Sequence, residues 1–393
     1  TSAVSLRTLA WLELRDNRLE PALGLAKRLI EQGDLNSETG MLLVSLTDRK
    51  VVGAEALLKG LLDQRNLPHV HLAYVQWLVR QQQHLAALDR LEVLTRVSPE
   101  LEMAWLIKGG LEYEENRPEA SRLSLEQYLK LARQSSDSSR NIAQAQLMLA
   151  QLAIQNKRLD QADSWLSQID DPAMQWEVHQ QRAKIKVEMS GITAALNWVE
   201  SIPVASLDDQ KKKWLLQAQL HKAQQSHQLA IDALKKALAL QPDDADLTYE
   251  LAMLSEKVSQ WDEFERLLKR VIELKPDSAH AYNALGYSLA DRNIRLSEAK
   301  NLIEKAVKLR PDDAYILDSL AWVEFRMGNT QLALDLLRKA FAMQADPEIA
   351  AHLGEVLWRS GQSEQARQIW ADSLKLNPDN LVLKTTMDRF SRP

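Results

Sequence analysis

Residues 279–311 read AHAYNALGYSLADRNIRLSEAKNLIEKAVKLRP. Tyr282, Leu285, Gly286 and Leu289 recur at steps of three, one and three, which lines one face of an α-helix. Ala299, Ile303 and Ala306 repeat the pattern at steps of four and three, and Pro311 stops it. The stretch is two amphipathic helices and a stop. One such pair cannot bury both of its apolar faces, so it needs neighbours. They are present: Pro242, Pro276, Pro311 and Pro378 lie 34, 35 and 67 residues apart.

A 34-residue period with small residues at fixed places resembles the tetratricopeptide repeat. Eleven such units account for nearly all of the 393 residues. The expected fold is all-α: a superhelical tetratricopeptide solenoid of about eleven helix-turn-helix repeats, 1–393 forming one body. N-terminal repeats occupy 1–132. The polar stretch RQSSDSSRN, 133–141, reads as an inter-repeat loop or an extended helix end. Further repeats fill 142–378, and 379–393 form a capping helix. In the first repeat Leu9, Ala10 and Glu13 mark the leading helix (A), and Ala22, Ala26 and Leu29 the following one (B). Later repeats carry Trp105, Gly109, Ser121 and Leu125, then Leu251, Ala252 and Leu268, then Leu353, Gly354, Ala366 and Trp370. Small residues at these places let helices approach closely. Gly286→Leu or Ala306→Phe is therefore expected to overpack and lower the melting temperature. Asp243 and Asp244, Asp277 and Ser278, and Asp312 and Asp313 stand at helix starts, where they cap N–H groups.

Composition excludes several function classes. Lys plus Arg number 49 and Asp plus Glu 54, for a net charge of −5, with no long basic run. That balance argues against nucleic acid as a partner. Lys211, Lys212 and Lys213 read as a solvated helix start. Cysteine is absent, which removes disulfides, thiolate metal sites and a thiol nucleophile. No apolar run reaches the ~18 residues of a membrane span. The chain opens in a helix without an initiating Met, so an origin inside a longer product is expected.

No motif for catalysis stands out. HExxH, GxSxG, the P-loop and GxGxxG are all missing. Ser297 and Lys300 have SxxK spacing, but Ser297 opens helix B of its repeat and reads as an N-cap. His69 and His71 diverge on a helix, and the eight histidines show no ligand spacing. The expectation is a non-enzyme with no catalytic residue, metal or cofactor. What remains is the inner face. In tetratricopeptide solenoids the second, fifth, ninth and twelfth places of helix A line the concave wall. Here these hold His280, Asn283 and Tyr287, then Tyr315, Asp318, Trp322 and Phe325, then Glu348, Ala351, Glu355 and Trp358, with Tyr249, Met253 and Tyr113 further back. Bare aromatics on such a wall serve as binding anchors, unless neighbouring repeats cover them. Trp322→Ala with Trp358→Ala is expected to weaken capture and spare the fold. The Lys and Asn of the carboxylate clamp in chaperone-binding relatives are not at their places, where Asn283 and Tyr287, Asp318 and Trp322, and Ala351 and Glu355 stand instead.

NALGYSLADR (283–292), DSLAWVEFRMGN (318–329) and AAHLGEVLW (350–358) resemble the C-terminal repeats of a proteobacterial family of outer-membrane tetratricopeptide lipoproteins. The resemblance implies an adaptor. It would bind a periplasmic carboxyl-terminal processing protease and recruit that protease's substrates, hydrolases of peptidoglycan cross-links. It also implies a periplasmic protein anchored to the outer membrane by an N-terminal lipid lying before Thr1. Two other readings are a scaffold in envelope polysaccharide or pilus assembly without a protease, and the repeat arm of a larger enzyme.

Overall fold

The computed structural model describes residues 2–133 and 139–391. It shows twenty-two helices and no strand among them. The chain divides into two compact units, Thr1–Ala194 and Ala195–Pro393.

In the first unit α1 (Ala3–Arg15) pairs with α2 (Leu19–Glu31), α3 (Ser37–Asp48) with α4 (Ala54–Gln64), and α5 (Pro68–Arg80) with α6 (His84–Val97). Next α7 (Glu102–Glu114) pairs with α8 (Pro118–Ala132), and α9 (Ser139–Gln155) with α10 (Leu159–Ser167). α11 (Gln175–Ser201) is two helices broken at Gly191, where φ is 82° and ψ 168°. In the second unit α12 (Leu207–Ala223) pairs with α13 (His227–Leu240), α14 (Ala245–Lys257) with α15 (Trp261–Leu274), and α16 (Ala279–Asp291) with α17 (Leu296–Leu309). α18 (Ala314–Arg326) pairs with α19 (Thr330–Met343), and α20 (Pro347–Arg359) with α21 (Ser363–Leu376). Finally α22 (Leu381–Ser391) packs on α20 and α21 through Leu383, Met387 and Phe390. The fold is the all-α helical-repeat solenoid that the period predicts.

The turn inside ten of the repeats is built alike. Asn17, Lys50, Gln82, Asn116, Lys157, Gln225, Ser259 and Asn293 follow their A helices with φ between 56° and 60°, and Gly328 and Gly361 take the same place at 89° and 85°. In the first repeat Arg18 N–H donates to Glu13 O at 2.8 Å and Asn17 N–H to Leu14 O at 3.2 Å. This pair of bonds satisfies the last carbonyls of the helix and turns the chain back.

The small-residue rule has direct geometry behind it. A Cβ on Gly286 would lie 2.6 Å from Ile303 and 2.9 Å from the Ala299 carbonyl oxygen. One on Gly109 would meet Leu125 at 2.7 Å, and one on Gly354 would enter the Trp370 ring at 2.0 Å. Trp370 is 2% exposed. Its bulk is admitted because helix A has no side chain there.

Four expectations need correction. The stripe that α1 buries is Leu6, Ala10 and Leu14, while Leu9 is 45% exposed. The leading helix thus turns a different side to its partner than Leu9 and Glu13 imply. Lys213 is not solvated: it is buried, and its ammonium donates to the Glu200 carbonyl and, at 3.1 Å, to the Ile202 carbonyl. It satisfies backbone acceptors at the end of α11, which a neutral side chain could not do as well. Ser297 lies inside α17, whose N-cap is Arg295 with φ 45°. Of the expected caps, Asp244 and Asp313 accept helix N–H bonds, whereas Ser278 holds its cap place without a side-chain bond. Of the polar stretch 133–141, residues 134–138 lie outside the described residues, and α9 starts at Ser139.

Candidate functional site

The A helices α16, α18 and α20 lie side by side in the second unit. Their shared face carries most of the candidate residues, and the structure treats those residues very unequally. Tyr315 is 44% exposed. Its hydroxyl donates to Asp346 Oδ2 at 2.9 Å and accepts from Gln344 Nε2 at 2.7 Å, so it also steadies the start of α20. Tyr249, Asn283, Tyr287, Phe325 and Trp358 are half-buried. Asp318, Trp322 and Glu355 are buried, at 6%, 4% and 6% exposure.

Trp322 is therefore no bare anchor. Its ring stacks on His352 with centroids 4.4 Å apart and lies 5.5 Å from Phe325. Trp358 is taken up in a stack with Trp370 at 6.0 Å and Phe390 of α22 at 5.8 Å. Glu355 binds Arg389 of α22 at 2.6 Å. Neighbouring repeats and the capping helix close over these side chains because a wide indole or a carboxylate is more stable packed or paired than bare. Trp322→Ala is accordingly a core truncation, expected to cost about 3–5 kcal/mol, and not a clean probe of binding.

His352 was not among the expected residues, yet it sits at the centre of this face. Its Nδ1 lies 2.8 Å and 3.0 Å from the two Asp318 carboxylate oxygens, and its Nε2 lies 3.3 Å from the Tyr287 hydroxyl. One imidazole thus joins α16, α18 and α20. Burial alone would depress its pKa, but Asp318 first, then Glu355 and Asp291, outweigh burial and hold it above the ordinary value. Burial drives the Tyr287 hydroxyl upward, helped by Asp291, Asp318, Glu348 and Glu256. Both ring nitrogens of His352 are engaged and its side chain is only 17% exposed, so it works as a clasp between repeats. The signal that would have found it is spacing: Asp318 and His352 are 34 residues apart, one repeat period, and such residues meet on adjacent A helices.

On α14, burial and the nearby Asp291 raise the pKa of Glu256 despite Arg292. Burial, with Glu256, raises Tyr249 as well. Tyr113, in the first unit, accepts from Gln155 Nε2 at 3.4 Å. Among the described residues, no group of three or more His, Asp or Glu is placed to hold a metal ion. No helix among them is long and apolar enough to cross a membrane.

Tetratricopeptide-repeat family models agree with this architecture over part of the chain. Two tetratricopeptide-repeat family models match, one over residues 222–286 and one over 319–380. The chain is similar to the TPR repeat-containing protein PA4667 of Pseudomonas aeruginosa, at 33% identity over 179 residues. The matched segment is 46% of this chain and spans only 28% of that relative's length. Among solved structures, the chain is similar to a tetratricopeptide repeat protein from Parabacteroides merdae, with 14% identity and a TM-score of 0.49, covering 63% of this chain and 98% of that one. It is also similar to TTC0263, a TPR protein of Thermus thermophilus, with 22% identity and a TM-score of 0.40, covering 44% and 95%. The matched segments are tetratricopeptide repeats, and repeats of this kind present long surfaces to other proteins. Protein-interaction scaffolding is the function class they support.

Proposed function

We propose that this chain is a non-catalytic tetratricopeptide adaptor that binds a periplasmic carboxyl-terminal processing protease and recruits its substrates, hydrolases of peptidoglycan cross-links. The observation that carries the reading is the resemblance of the 283–292, 318–329 and 350–358 strings to outer-membrane lipoproteins with that role. Those strings are also the segments that build the Asp318–His352–Tyr287 clasp and its aromatic surround. The protein works in the periplasm, held to the outer membrane by a lipid on its full-length N-terminus. Holding protease and substrate on one scaffold raises their effective concentration without new chemistry. Folded repeats supply area for two partners at once.

The test mixes the chain with the host's periplasmic carboxyl-terminal processing protease and a peptidoglycan endopeptidase. Co-purification with the protease and faster loss of the endopeptidase are the expected results. Binding of neither would discard the adaptor reading and leave a scaffold in envelope assembly as the better account.

A further inference from the structure

Leu9 and Leu12 of α1 are 45% and 41% exposed, although both stand at places that later repeats keep dry. Leu9 lies eight residues before the left-handed turn residue Asn17, as Leu42, Leu149, Leu251, Leu285 and Leu353 lie before theirs. All five are at most 2% exposed. Leu12 lies five residues before its turn residue, as Leu152, Leu254, Val323 and Val356 do, and none of these exceeds 4%. In the later repeats the covering element is helix B of the repeat before: α13 packs on α14, α15 on α16 and α19 on α20. Leu353 and Val356 of α20 share one core with Ala333, Leu337 and Ala340 of α19. No helix B stands before α1 among the described residues.

The open side of α1 is also without charge. From Ser2 to Leu12 the one ionic side chain is Arg7, and it is engaged by Asp34 at 2.6 Å and Glu38 at 2.7 Å. Val4, Trp11 and, on α3, Met41 are exposed as well. A solvated helix side looks different: α22 leaves Lys384, Thr385 and Asp388 exposed to water. The open side of α1 suits contact with another apolar helix. A membrane surface does not suit it, because helices that lie on membranes carry free cations beside the apolar stripe. Here Arg15 pairs with Asp16 at 3.3 Å.

We infer that α1 is the interface of a homodimer. In it, α1 of a second copy lies antiparallel across α1 and takes the part that helix B plays between repeats. The residue pattern is self-complementary about a two-fold axis passing between Thr8 and Leu9. That axis sets Leu9 opposite Thr8 of the second copy, Leu12 opposite its Ser5, and Arg15 opposite its Ser2. Each leucine meets a small side chain, the device that Trp370 and Gly354 show inside a repeat, and no like charges meet. The inference goes beyond the adaptor reading and does not depend on it. Two joined chains present every partner-binding surface twice.

The experiment is analytical ultracentrifugation of the full chain over about 1–100 µM, the range that a small interface leads one to expect. The mass should rise with concentration toward that of two chains. Leu9→Glu with Leu12→Glu puts carboxylates on the open side. That variant should keep its helical signal and melting temperature and dimerise about tenfold more weakly, or worse. A second measurement uses the absence of cysteine from the chain. Thr8→Cys places one thiol per copy beside the axis, and oxidised glutathione should link most of the protein into a disulfide dimer. Leu85→Cys on α6, at a place 58% exposed, should stay unlinked. A chain that remains monomeric throughout the range, or a Thr8→Cys variant that links no better than Leu85→Cys, would overturn the inference and leave this side of α1 to a different helical segment. Dimerisation that survives Leu9→Glu with Leu12→Glu would overturn it too, by placing the contact elsewhere. Failure of the protease and the endopeptidase to bind would remove the adaptor reading and leave the dimer standing.

Discussion

His352 shows how one side chain can hold three repeats. It bonds Asp318 on α18 and Tyr287 on α16 from its own place on α20. Its folded pKa lies above the usual value of about 6.5, so the folded state binds the proton more tightly than the unfolded chain does. The pair's contribution to stability is therefore full below about pH 6.5 and is lost as pH rises through the raised folded value. His352→Gln leaves Asp318 buried without its charged partner and should cost about 3 kcal/mol near pH 6. Denaturant titrations of both proteins check this. The gap between them should narrow as pH rises above about 6.5, and a gap that stays constant with pH would show that the ion pair is not the cause. Tyr287→Phe, which removes only the hydroxyl, should cost about 1 kcal/mol.

At the scale of the element, the repeat depends on two devices: a left-handed residue after helix A and a missing side chain within it. Gln82 and Gln225 occupy the first at φ 60° and 58°. A side chain there is strained by about 1 kcal/mol, and glycine is not. Gln82→Gly and Gln225→Gly should each raise the melting temperature, whereas a drop in both would mean that those side chains contribute more than the turn loses. Gly354 exemplifies the second device. Gly354→Ala would place a methyl 2.0 Å from the Trp370 ring nitrogen, and Gly286→Leu would drive into Ile303. Each should lower stability by about 1–3 kcal/mol or more, with Gly286→Leu the worse. Calorimetric melting that shows both unchanged would refute the helix register described above.

For the molecule as a whole, the consequence of repeat architecture is local dependence. Each repeat rests on its neighbours, so a contiguous half can stand alone. The second unit has its own apolar core, from Ala218 and Leu234 through Phe264 and Leu285 to Leu337 and Trp370, and α22 covers its last repeat. A fragment of residues 192–393, beginning just after the Gly191 break, is expected to be helical and to melt cooperatively. A fragment without a thermal transition would show that this unit needs the first one to fold.

The amino-acid sequence by itself determined the helices, their pairing and the count of repeats. Those follow from apolar spacing and from glycine and alanine at recurring places such as Gly286, Ala306 and Gly354, and such short-range patterns survive in a linear string. It also led to the expectation that the A-helix residues from Tyr249 to Trp358 share one face. Only the tertiary structure decided which of them stay accessible. Trp322 and Trp358 look alike as letters, but one is closed over by His352 and Phe325 and the other by Trp370 and Phe390. Burial depends on what the next repeat brings alongside, a whole period away. The same holds for charge. Asp318 and Asp291 are both aspartates on A helices, and only the first has an imidazole beside it, brought by the next A helix one period away.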